Sequence, residues 1–241
     1  MRKSFFISCL LAICLLFVTQ RSLAWVSSEK ENPAGIEGIT NSQLSFQYTD
    51  LYGIGLNYYQ TGFSMPLPGG FAFGLRSQKI IDREIYPGWN EDQLALSVAK
   101  KVTPSLAVGT RIRLDYVRSV ESHFDATLDL GVLVKISSPF TVKFSAEDLF
   151  GSRQVANGQL EIGCEYAWQN ISLELELNSR KQMCLGMEYK LVEQLLLRAG
   201  LNDGALNFGL GINSSSWQVN YRYRPHLLGD SHNIELVKSF Q

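Results

Sequence analysis

The sequence predicts an all-β chain: a transmembrane, antiparallel, up-and-down β-barrel of about 14 strands, with 12 as the lower bound. Three observations carry that prediction. Apolar and polar residues alternate with period two in segment after segment, as in strands with one apolar face. Almost no helical periodicity interrupts them. The connections between the segments also sort by length, short ones at one end and long ones at the other.

The chain begins with a segment outside the fold. Arg2 and Lys3 give a positive start, and Phe5 to Val18 is an apolar run too short to span a bilayer comfortably as a helix. Ser22-Leu23-Ala24 places small residues before Trp25. This is the pattern of a secretory signal peptide, residues 1–24, with cleavage expected after Ala24. Residues 25–42 then form a polar segment containing Gly and Pro, expected as a periplasmic tail or small plug, and residues 43–241 form the barrel.

Removing Arg2, Lys3 and Arg21 takes the 22 basic residues to 19 against 23 acidic ones, a net of −4. That balance leaves no electrostatic footprint for nucleic acid. Cys9 and Cys14 leave with the signal, so the exported part keeps Cys164 and Cys184, which do not make a disulfide scaffold.

The expected strands are 43–50, 53–66, 71–80, 92–102, 105–118, 123–137, 140–147, 157–167, 170–178, 182–190, 193–201, 204–213, 215–224 and 231–240. The ninth shows the pattern plainly: Ile171, Leu173, Leu175 and Leu177 alternate with Ser172, Glu174, Glu176 and Asn178. Alternation alone does not decide whether the leucines face a core or lipid. The connections do. The even ones are short, at Pro66–Gly70, 103–104, 137–139, 168–169, Val192 and Ser214; the long ones, 81–91, 148–156 and 225–230, are all odd. Barrels of the bacterial outer membrane have an even strand number, short periplasmic turns and longer outer loops. The leucines are therefore expected toward lipid and the charges toward the lumen.

The expected lumen-lining charges are Arg76, Arg111, Arg113, Asp115, Asp129, Lys135, Lys143, Glu147, Glu161, Glu165, Glu174, Glu176, Glu188, Arg198, Arg222 and Arg224. They set an acidic wall on the eighth to tenth strands between basic flanks. Buried charges need partners, so the expectation is that they pair across the lumen; the alternative is a polar conduit. Inward glycines, Gly109 and Gly131 among them, leave room for charged side chains or for a plug. Cys164 falls on the outward set and Cys184 on the inward set. A lateral gap, if one exists, is expected in strands 53–80, where Pro66, Pro68, Gly69 and Gly70 weaken pairing.

Three stretches carry a family resemblance. Asn32-Pro33-Ala34-Gly35 resembles the "NPAG" element near the start of FadL-type barrels and the related PorV/PorQ outer-membrane proteins. Ser145–Gly151 is similar to a mid-barrel segment of the PorV-like group, with Asp148 where Asn is usual. Trp217–Phe240 resembles that group's closing hairpin, with Asn233 where Arg is usual. The resemblance implies a 14-stranded barrel whose N-terminal segment folds into the lumen. It implies two jobs: passage of small hydrophobic or amphiphilic solutes across the outer membrane, or partnership in protein secretion and surface assembly. The chain departs from FadL-type proteins in its short N-terminal segment and short outer loops. Phe240 near the C-terminus resembles the aromatic signal read by the barrel-assembly machinery, although Gln241 follows it.

An enzyme is not expected. The chain holds His123, His226 and His232, with no HExxH, CxxC or phosphate-cradling glycine loop. His232 follows Ser231 directly, and neighbours on a strand point to opposite faces. No cofactor is expected. The expected partners are outer-membrane lipid, the assembly machinery, and either a small hydrophobic ligand or a secretion-system protein.

Overall fold

A computed structural model describes residues 32–82, 89–118, 122–150, 158–202 and 204–240. The expected signal peptide, its expected cleavage point and residues 25–31 of the expected plug segment lie outside the described residues, as does Gln241.

A 3₁₀ helix, Pro33–Gly38, precedes fourteen strands. The first seven are β1 (Ser42–Leu51), β2 (Leu56–Leu67), β3 (Phe71–Asp82), β4 (Asn90–Thr103), β5 (Leu106–Arg118), β6 (His123–Ser137) and β7 (Phe140–Glu147). The rest are β8 (Gln159–Trp168), β9 (Ile171–Asn178), β10 (Met183–Val192), β11 (Leu195–Asn202), β12 (Ala205–Asn213), β13 (Trp217–Arg224) and β14 (Ser231–Phe240). Each pairs antiparallel with its chain neighbours, and β1 closes on β14 from Ser42↔Phe240 to Asp50↔His232. Closure leaves no sheet edge, which a spanning sheet requires because lipid offers backbone groups no partner. All fourteen expected strands are present, with ends moved by no more than three residues.

The two rims differ as the spacing predicts. Even-numbered connections are tight, such as Pro68–Gly70 and the two residues between Trp168 and Ile171. Register shifts fall beside three of these turns, at Lys101/Thr103, Lys135/Ser137 and Lys190/Val192, where a bulge lets a strand bend into its hairpin. The longer connections, including those after Asp82, Glu147 and Arg224, share the opposite rim.

The barrel is apolar outside and polar inside. Phe46, Leu96, Ile112, Leu130, Phe144, Ile162, Leu185 and Val219 point outward and stay 41% to 49% exposed. Inward positions are buried and polar, among them Gln47, Gln60, Asp129, Glu174, Glu176, Asn207 and Asn220. So continuous an apolar belt is a lipid-facing surface, since in water it would drive aggregation. The opening ambiguity of Leu173, Leu175 and Leu177 is thus resolved toward lipid. Lys238 interrupts the belt on β14 and snorkels: its Nζ donates to Ser216 Oγ at 2.8 Å and lies over the Trp217 ring. Phe240 sits on the same outward face.

The lateral gap expected in strands 53–80 is not there. β2 and β3 pair without a break from Leu56↔Asp82 to Leu67↔Phe71. Pro66, Pro68, Gly69 and Gly70 cluster at the hairpin end, where Gly69 and Gly70 take φ of 77° and 76°. A proline beside a turn removes no bond from the middle of a ladder.

Candidate functional site: a charged lumen with a seated N-terminal segment

The 3₁₀ helix lies inside the barrel against β3 to β6, in the half nearer the short turns. Its seat is made of small inward residues: Ala72 and Gly74 on β3, Ala95 and Ala99 on β4, Ala107 and Gly109 on β5, and Gly131 on β6. The four alanines and Ala34 of the helix are at most 2% exposed. Two glycines are steric requirements. A Cβ on Gly109 would run into the Pro33 carbonyl, and one on Gly131 would strike Asn32 Oδ1 and come within 2.8 Å of Pro33 Cδ. Ile36 Cδ1 fills the space over Gly74 at 3.6 Å.

Asn32 has two jobs. Its Oδ1 accepts from Ala34 N at 2.9 Å and caps the helix, with Pro33 at the first position preset in φ. Its Nδ2 donates to Phe144 O at 2.9 Å and Val132 O at 3.3 Å, a directly paired couple on β6 and β7. The same amide thus starts the helix and pins it to the wall. Lys101 adds an ion pair to Glu37 at 3.7 Å.

Around the lumen wall the predicted charges form three networks, the first just above this seat toward the long loops and the other two in the short-turn half, on β7 to β10 and on β10 to β14. The first centres on Asp129, which is 0% exposed. Its Oδ2 accepts from Arg111 Nε at 2.7 Å and lies 2.9 Å from Arg113 Nε. Glu147 stands 3.6 Å from Arg111, and Asp148 takes the remaining edge of Arg113. Asp148 follows β7 in the left-handed region, φ 54°, a conformation Asn and Asp tolerate. Its amide donates to Asp129 Oδ1 at 3.1 Å. An Asp where the resembled motif has Asn therefore adds a carboxylate to an arginine network. Asp115 accepts from Gln93 Nε2 at 2.5 Å.

The second network lies on the acidic wall. Lys143 Nζ meets Glu174 at 2.5 Å and Glu165 at 3.2 Å, while Glu161 and Glu176 occupy inward positions beside them. The third joins Arg198 to Glu188 at 2.7 Å and to Asn220 at 2.6 Å, and Asn220 to Glu235 at 2.7 Å. Arg222, Arg224 and Arg76 also take inward positions on their strands. Lys135 departs from the expectation. It lies exposed at the short-turn end of β6, where the Ser137–Phe140 hairpin carries it to the rim, outside all three networks.

Two cavities flank this wall. One, of about 220 Å³, lies in the lumen on the long-loop side, between Arg76, Gln78, Gln93, Ala95, Arg111 and Arg113 and, opposite, Glu147, Asp148, Gln159 and Arg180. The other, of about 480 Å³, is an apolar depression on the outward face. Leu130, Val132, Phe144, Ala146, Leu160, Ile162 and Leu177 line it, and it reaches Gly131 and Ser145. Gly131 is also where Asn32 sits on the lumenal side. The depression and the seated helix therefore back onto the same patch of wall.

Sequence reasoning missed the glutamine row Gln47–Gln60–Gln78–Gln93, which pairs directly across four strands, and the contribution of Arg180 from a turn. The row has a signal, one inward glutamine per strand, but it is visible only once registers are fixed. His232 points outward and bonds Tyr221 at 2.9 Å, while Ser231 points inward and accepts from Tyr52 N.

This architecture is that of the FadL-type barrel fold. The chain is similar to the CymD monoaromatic hydrocarbon channel (TM-score 0.65, 10% identity, covering 90% of this chain and 93% of that one). It is similar to a Pseudomonas aeruginosa FadL homologue (0.61, 12%, 90% and 94%) and to the Pseudomonas putida toluene transporter TodX (0.62, 9%, 91% and 95%). At such identities the likeness is one of fold. No protein-family model matches the sequence, and neither does any curated protein sequence.

Proposed function

We propose that the chain is an outer-membrane channel-type barrel that passes small amphiphilic solutes. The observation that carries this reading is the placement of the seated helix. Asn32 and Pro33 cover Gly131 from the lumen, and the apolar depression lies behind the same wall segment. A solute with a polar end suits the charged lumen, and its apolar end suits the depression and the lipid beyond it. The fold-level neighbours named for monoaromatic hydrocarbons and toluene agree with an apolar component. The polar lumen argues against a purely hydrocarbon cargo, because desolvating paired charges for an alkane is costly.

A second reading rests on a different observation. The lumen charges are largely spent on one another, and the helix fills part of the bore. Such a barrel suits a non-conducting partner in secretion or surface assembly. Single-channel recording on refolded residues 25–241, and on the same protein lacking 25–42, separates the two. Conductance that rises when 25–42 is removed supports the channel. Insertion shown by heat-modifiable gel mobility, with both forms silent, rejects it in favour of the protein partner.

A further inference from the structure

We propose that the long-loop half of the lumen holds a binding site for a small hydroxylated carboxylate, with Arg180 as the residue that grips the anion. The proposal rests on the channel reading only for access of the solute to the lumen.

The cavity of about 220 Å³ has room for roughly seven waters at ~30 Å³ each, the scale of a small polar solute. Its lining is almost wholly polar, with four arginines against two carboxylates. Most of that charge is committed. Arg111 and Arg113 are held by Asp129, Glu147 and Asp148. Arg180 differs: its guanidinium enters no ion pair among the described residues.

Arg180 also reaches the cavity from outside the wall, on the turn between β9 and β10, and that turn is built to hold it. Asn178 Oδ1 accepts from the amides of Arg180 and Gln182, both at 3.0 Å. Asn178 Nδ2 donates to Gln182 Oε1 at 2.9 Å, and Asn178 O accepts from Lys181 N at 2.9 Å. Ser179 Oγ accepts from Leu160 N at 3.2 Å, tying the turn to β8. A fork of five N–H donors on a fixed turn is a preorganised carboxylate receptor. Around it Gln78, Gln93 and Gln159 supply amides, each with two donors and an acceptor, the groups that read hydroxyls. An alkyl chain finds only Ala95 there.

The test is isothermal titration of the detergent-refolded barrel, residues 25–241, with sodium gluconate, glucose and sodium laurate. Gluconate is expected to bind, Arg180→Ala to weaken it by about tenfold or more, and Arg180→Lys to restore part of the loss. Glucose and laurate are expected to show no dependence on residue 180. Absent gluconate binding, binding unchanged in Arg180→Ala, or an Arg180 dependence that belongs to laurate each overturns the proposal. Arg180 is exposed, and heat-modifiable mobility confirms that its variants fold. Gluconate binding to an electrically silent barrel leaves the site standing and removes the channel reading. Conductance without gluconate binding does the reverse.

Discussion

The Asn32 side-chain amide donates to the Phe144 carbonyl across 2.9 Å, although 112 residues separate the two in the chain. The bond fastens the N-terminal helix to β7, while Asn32 Oδ1 caps the same helix. These roles are separable. Asn32→Asp keeps the capping acceptor and loses the donor; Asn32→Ala loses both. Losing a cap costs about 0.5–2 kcal/mol, and losing a side-chain hydrogen bond about 0.5–1.5 kcal/mol. We expect helix 33–38 to exchange its amide hydrogens faster in Asn32→Asp and faster still in Asn32→Ala, with barrel amides unchanged. Hydrogen-exchange mass spectrometry of the refolded protein reads this directly. Equal exchange in wild type and Asn32→Ala would mean that the wall, and not Asn32, holds the helix.

Gly131 is the partner of that clamp. A methyl group there meets Asn32 and Pro33, so Gly131→Ala should push the helix off its seat while leaving β6 paired. Gly38→Ala is the control, because nothing lies within 4 Å of a Cβ at that position. In a conducting barrel, Gly131→Ala is expected to move single-channel conductance toward that of the form lacking 25–42, and Gly38→Ala to leave it alone. A Gly131→Ala barrel with wild-type conductance and wild-type exchange in the helix would contradict the steric argument.

Much of this was legible in the sequence, and what was not has a common cause. Period-two alternation locates every strand and tells inside from outside, because the side-chain period of a strand leaves no freedom once one face is apolar. Turn lengths locate the two rims. Contacts that cross several strands depend on register and barrel closure, which alternation does not specify. Arg111 and Asp129 are each predicted lumen residues, yet their pairing follows only from the β5–β6 register. Lys135 has the right parity but the wrong height, since parity carries no information about distance from the rim. Pro66 and Gly70 read as weak pairing, whereas the fold uses them to make a hairpin end. Arg180 lies in a turn, where no periodicity reports direction at all.

The Asp129 network gives a stability prediction. Asp129 serves two guanidiniums and a backbone amide from a fully buried position. Asp129→Ala removes the carboxylate that Arg111 and Arg113 share and leaves Glu147 and Asp148 to hold them; breaking a buried pair typically costs about 3–5 kcal/mol, and the remaining carboxylates bring the cost toward the lower end. The Lys79–Asp92 pair, at 2.8 Å with side chains 45% and 41% exposed, should matter far less; exposed pairs contribute about 0–1 kcal/mol. Urea unfolding of the refolded barrel, followed by the shift between folded and unfolded gel bands, should place the Asp92→Ala midpoint near wild type and the Asp129→Ala midpoint well below it. Coincident midpoints for all three would show that the network stabilises nothing.

The acidic wall makes the last prediction, one of ion preference. Glu161, Glu165, Glu174, Glu176 and Glu188 share the inner face of three consecutive strands, against Lys143 and Arg198 in contact with them. Rings and walls of carboxylate draw cations into a bore and exclude anions. In a potassium chloride gradient, a conducting form of the barrel should show a cation-selective reversal potential. Glu161→Gln should reduce that selectivity, since it removes one carboxylate from the inner face of β8 while keeping the side chain's shape. Lys143→Met should strengthen it at a cost in stability, since it leaves Glu165 and Glu174 facing one another across the β8–β9 ladder. An anion-selective barrel would mean that the arginine-rich cavity under the long loops, and not the acidic wall, governs passage.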